Sequence, residues 1–64
     1  MDYKIEITDS WQYGHGLKPL YKLYTVTVFV DGKLYMEHPN ITLVHEAGQI
    51  ALYYETFFKY YKQN

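Results

Sequence analysis

Sixty-four residues make one domain at most, spanning 1–64, and a domain of that size buries only about 60% of the surface its unfolded chain exposes. With no cysteine, neither a disulfide nor a thiolate metal site reinforces so small a core. That leaves tight packing or a partner, often a second copy of the chain, so a homodimer is expected. The missing cysteines also point to a reducing compartment, with the cytoplasm as the default location. Seven acidic residues against six lysines give a net charge of −1, with no block of like charge. Steering toward nucleic acid or an anionic membrane surface is therefore not indicated. No apolar run approaches a membrane span, and Met1-Asp2-Tyr3-Lys4 does not open a signal peptide. Two layers built from so short a chain leave little room for a pocket with supporting residues behind it, so an enzyme is not expected.

The first regular element is Tyr3-Lys4-Ile5-Glu6-Ile7-Thr8. Strict alternation puts Tyr3, Ile5 and Ile7 on one face of a half-buried strand. From Asp9 to about Leu20 there is no period, and Gly14, Gly16 and Pro19 predict a loop carrying Trp11, Tyr13 and His15. Tyr21 to Val30 is a second strand, rich in β-branched and aromatic residues, and Lys33 to His38 a third. For the hairpin between them, a three-residue loop of Val30-Asp31-Gly32, with Gly32 left-handed, pairs Val28 with Leu34 and Val26 with Met36. Thr25/Glu37, Thr27/Tyr35 and Phe29/Lys33 then share the opposite face, which separates apolar from polar side chains.

Pro39-Asn40 is expected to break the third strand. From Thr42, an expected N-cap, the apolar positions Leu43, Ala47, Ile50, Tyr54, Phe57 and Tyr61 recur in steps of four and three, widened by Ala51 and Phe58. This pattern predicts a helix to the end of the chain, with Glu46 near its start and Lys59 and Lys62 in its last turns. The fold class is α+β: a three-stranded antiparallel sheet with one C-terminal helix packed on one face.

Nine tyrosines, three phenylalanines and one tryptophan make the chain 20% aromatic. Tyrosine and tryptophan are enriched where proteins meet proteins. Phe29, Tyr35, Leu52, Tyr53 and Tyr60 find no place in the core of this arrangement, which predicts a surface for self-association or a protein partner. The chemistry-bearing residues are few. His15, His38 and His45 lack the one-turn spacing of a zinc site, and neither a metal nor a cofactor is expected. Gly14-His15-Gly16 is not a phosphate loop without a following helix N-terminus. Phe57-Phe58-Lys59-Tyr60-Tyr61-Lys62 interleaves rings with lysines, yet a nucleic-acid binder normally shows a basic face, so direct nucleic-acid binding is not expected.

At the central hairpin, Tyr24-x-Val26-Thr27 followed by Asp31-Gly32-Lys33-x-Tyr35-x-Glu37-His38 resembles the small bacteriophage inhibitors of uracil-DNA glycosylase. Those are short, dimeric proteins with a three-stranded sheet and a helix. The resemblance implies a DNA mimic acting in the host cytoplasm. Carboxylates would stand where phosphates lie, and an apolar pocket would receive the side chain that the enzyme pushes into the minor groove. It carries Tyr35 and Glu37 over by position. By their place on the predicted elements, Glu46 joins as a second phosphate mimic, and Leu52, Tyr53 and Met36 wall the pocket. The other expectation is a protein-interaction module or phage-type regulator that needs only an aromatic binding surface. The two differ in charge layout, since the inhibitor needs Glu6, Glu37, Glu46 or similar acids gathered around the hollow.

Overall fold

The computed structural model describes residues 2–61, with the side chain of Tyr61 left aside, so the expected roles of Tyr61 in the apolar stripe and of Lys62 in the last turn fall outside the described residues. Three strands, β1 (Tyr3–Tyr13), β2 (Pro19–Val30) and β3 (Lys33–Ile41), form an antiparallel meander in the order β1-β2-β3. One helix, α1 (Val44–Tyr61), lies across one face. The α+β expectation holds.

Five buried residues make the core: Val26 and Val28 from the middle strand, Ile41 from the end of β3, and Ala47 and Phe58 from the helix. Tyr3, Ile5, Tyr24, Val30, Ile50, Ala51, Tyr54 and Phe57 pack around them, half-buried. Phe58 is the hub. Its ring stacks on Tyr3 at 5.1 Å between centroids and meets Tyr35 edge-on at 5.6 Å and Phe57 at 5.5 Å. The expected stripe Ala47, Ile50, Tyr54, Phe57 does face the sheet, but Leu43 does not belong to it and is exposed. The Leu43 carbonyl accepts from the amides of Glu46 and Ala47 (3.0 and 3.2 Å), so Leu43 rather than Thr42 occupies the cap position.

Three expectations about the strands need correction. The expected loop from Asp9 to Leu20 is mostly strand: β1 and β2 stay in register from Tyr3↔Val30 to Gln12↔Tyr21, and only Gly14 to Lys18 turns. The polar residues that hid this segment stabilise it. Lys22 Nζ lies 3.2 Å from an Asp9 carboxylate oxygen and 5.0 Å from the centre of the Trp11 ring, a cross-strand cluster that needs no buried face. The Trp11 segment therefore lids nothing. It runs out as a two-stranded ribbon beyond the helix, because 18 helical residues span about 27 Å while the 12 residues of β2 span about 40 Å.

The β2–β3 hairpin differs in register. Its turn is two residues, Asp31 and Gly32, both at positive φ (52° and 80°), and Val30 pairs with Lys33 and Phe29 with Leu34. A bulge at Tyr35 then shifts the ladder, giving Val28↔Met36, Thr27↔Glu37 and Val26↔His38 in place of the expected pairs. The bulge keeps Met36 beside Val28 on the helix side, while Leu34 falls opposite Phe29 on the outer face and is exposed, so the faces separate less cleanly than the longer loop implies. Asp31 tolerates its left-handed backbone because its own groups are held: its amide donates to the Asp2 carbonyl at 2.7 Å, and its Oδ1 accepts from the Asp2 amide at 2.9 Å.

Pro39-Asn40 bends β3 without ending it. The two residues form a second irregularity, with Asn40 at φ 61°, after which Ile41 rejoins the ladder opposite Tyr24 and enters the core. Proline is tolerated because β3 is an edge strand and gives up no ladder bond on its free side.

Candidate functional site

The helix covers the sheet more toward β1 and β2 than toward β3, which leaves a hollow between β3 and one flank of α1. Tyr35, Met36, Tyr53, Tyr54 and Phe57 line it, an open hollow of about 160 Å³. That is close to the ~150 Å³ of a cavity that takes one benzene-sized group. The Tyr35 bulge builds one wall: it turns the Tyr35 ring onto Phe58, while ladder alternation brings Met36 to the same side. Tyr35 is thus on the helix side of the sheet, not on the outer face with Phe29 as expected. The opposite wall comes from helical spacing. Tyr53 and Phe57 are four residues apart, with ring centroids 6.5 Å apart and nearly parallel planes, and Tyr53 meets Tyr54 edge-on at 5.2 Å.

The hollow continues along the helix in two directions. Toward its start, His38, Glu46, Gln49 and Ile50 join Tyr53 and Tyr54. Away from the sheet, Gln49, Leu52, Tyr53, Thr56 and Phe57 form an open apolar strip, all from α1. Leu52 and Tyr53 are each about two-thirds exposed (63% and 64%), so the molecule presents them to solvent and spends no core packing on them.

A hydrogen bond of 2.7 Å between His38 Nε2 and the Tyr54 hydroxyl ties β3 to α1 at the floor. Tyr54 donates it when Nε2 carries no proton, and Nε2–H donates it otherwise. Burial pushes the Tyr54 phenol above its usual value, and the neighbouring Tyr53 and Tyr35 phenols add to the shift, so the hydroxyl stays neutral. Among the described residues, no group of three or more potential metal ligands gathers anywhere.

Five of the six residues singled out from sequence line this continuous surface: Tyr35, Met36, Glu46, Leu52 and Tyr53. Glu37 does not. It pairs with Thr27, which pairs with Glu6, and that row points away from the helix. Glu6 is moreover 3.2 Å from Lys4 Nζ. Glu46 is therefore the one carboxylate at the hollow among the described residues, and the acids do not ring it. His38, Gln49 and Tyr54 belong to the surface too. The sequence hides His38 because Pro39-Asn40 marks a strand end beside it, and Tyr54 because helix periodicity assigns it wholly to the core.

No protein-family model, no curated protein and no solved structure matches the chain. No described helix is long and apolar enough to cross a membrane.

Proposed function

We propose that the chain is a protein-binding module without catalysis of its own, which seats one apolar side chain of a partner protein between β3 and α1. The hollow carries this reading: rings and a methionine from two elements converge on an open space of about 160 Å³, room for one apolar side chain, with more apolar surface continuing along the helix. Aromatic residues and methionine are the side chains that dominate protein interfaces, and methionine adapts to the shape it receives. Glu46 is the one carboxylate among these lining residues, which favours a partner whose apolar group is flanked by a basic or hydrogen-bonding one.

A second reading names the partner. The residues of the central hairpin resemble the phage inhibitors of uracil-DNA glycosylase, and the hollow has the apolar character that a pocket for the enzyme's DNA-probing side chain needs. The scattered acids favour the general module over a full DNA mimic, because a row of phosphates would have to be imitated by Glu46 nearly alone. Both readings are tested by titrating the protein into uracil excision by a bacterial glycosylase, with Met36→Lys and Tyr53→Ser in parallel. Inhibition by the parent chain that both variants lose supports the second reading and the first with it. Undiminished excision with no complex on a sizing column discards the glycosylase. The module reading is then decided by photo-crosslinking from the hollow in cells. It fails if position 53 captures no discrete protein.

A further inference from the structure

The two free edges of the sheet are built differently. On β3 the edge is broken by the bulge at Tyr35 and by Pro39-Asn40, devices that blunt strand edges against pairing. On β1 the one irregularity lies at its far end, at Gln12/Tyr13, and its charged residues Lys4, Glu6 and Asp9 are paired within the molecule, Lys4 with Glu6 and Asp9 with Lys22. From Tyr3 to Gln12 the strand runs ten residues in unbroken register, without proline, glycine or bulge. A long, regular edge offers a row of unpaired amides and carbonyls to another strand.

The molecule is also too spread out to be satisfied alone. It measures 53 × 22 × 10 Å, with a radius of gyration of 14.3 Å, where a compact chain of this length has about 11 Å. It exposes 5096 Å², against about 4,300 Å² for a folded monomer of its mass. The excess, about 800 Å², matches one partner's share of a standard protein interface. Part of it lies on the ribbon beyond the helix, where Trp11 and Tyr13 are about half exposed.

We infer that β1 pairs antiparallel with β1 of a second copy, joining two sheets into one of six strands with both helices on the same face. Directly opposed residues must then face the same way, so the sum of their numbers is even. The register that overlaps the whole strand sets Thr8 opposite Thr8. It places Trp11 of each copy opposite Ile5 of the other and Tyr13 opposite Tyr3, so each ribbon lies beside the other copy's helix-covered half. No like charges face each other: Lys4 meets Gln12, and Glu6 meets Ser10. The interface leaves the β3–α1 hollow open and does not depend on what the hollow binds.

The chain has no cysteine, so single-cysteine variants report contacts without background. Thr8→Cys is compared with Leu34→Cys on β3, both exposed sites, after circular dichroism confirms folding; each is treated with a short thiol-to-thiol crosslinker, and the parent mass is followed by light scattering across concentration. A dimer mass, with covalent dimer from Thr8→Cys and little from Leu34→Cys, is the expected result. A parent chain monomeric up to its solubility limit overturns the inference. So does a dimer that crosslinks at Leu34→Cys, or at neither site. A monomer that still engages a partner through the hollow would sink this inference and leave the proposed function standing.

Discussion

Replacing Phe58 by alanine tests the packing on which every other statement rests. The side chain is 1% exposed, and its ring touches Tyr3, Tyr35, Tyr54 and Phe57, which together connect the helix to both outer strands. Truncating a buried phenylalanine typically costs about 3–5 kcal/mol, because transfer energy is lost and a cavity remains. A 64-residue domain has only about 3–10 kcal/mol in all. Phe58→Ala should therefore forfeit about a third or more of the total stability, whereas Tyr53→Ala, at an exposed site on the same helix, should lie within about 0.5 kcal/mol of the parent. Phe58→Leu, which keeps most of the volume, should unfold cooperatively at a lower urea concentration. Urea titrations followed by far-ultraviolet circular dichroism measure all three, repeated at several protein concentrations because self-association adds a concentration-dependent part. If Phe58→Ala costs no more than Tyr53→Ala, the helix does not pack on the sheet as described and the hollow has no floor.

Two further outcomes follow from single residues. Gly48 lies inside α1 and a Cβ added there meets nothing within 4 Å, so Gly48→Ala should raise the urea midpoint, by about 0.8–1 kcal/mol in stability; a loss instead would reveal a close neighbour at that point. Tyr54 has a folded pKa raised above 10.0, so the stability that its neutral form contributes is complete below pH 10 and is lost as pH rises through the folded value. Tyr54→Phe should cost about 1 kcal/mol at neutral pH through the lost bond to His38, and should show a shallower decline above pH 10 than the parent. Parallel declines would remove the phenol from that account.

The elements that the sequence makes legible are those whose signal is local. Ala47, Ile50, Tyr54 and Phe57 recur at helical spacing, and Tyr3, Ile5 and Ile7 alternate, so one helix and one strand can be read directly. The ribbon from Asp9 to Tyr13 cannot, because its order comes from Asp9, Trp11 and Lys22 meeting across strands, and such pairs leave no period along either one. Ile41 is hidden for the same reason: Pro39-Asn40 reads as a stop until the ladder on β2 shows a place for Ile41 beside Tyr24. At the site, Tyr53 and Leu52 are legible as residues left over by the helix stripe. Tyr35 leaves the outer face expected of it while Glu37 keeps its own, since one bulged residue reverses the alternation only on the hairpin side of the bulge. A bulge depends on what lies opposite, and one strand's sequence does not encode that.

The central claim is that the hollow between β3 and α1 receives a protein partner. It is tested most directly by placing a photo-crosslinking amino acid at position 53 on the wall of the hollow, and separately at position 25 on the outer sheet face, then irradiating cells that express each form. The account predicts a discrete crosslinked protein from position 53 that disappears when Met36→Lys is added, and no such product from position 25. The same products from both positions, or a product from position 53 indifferent to Met36→Lys, would contradict it.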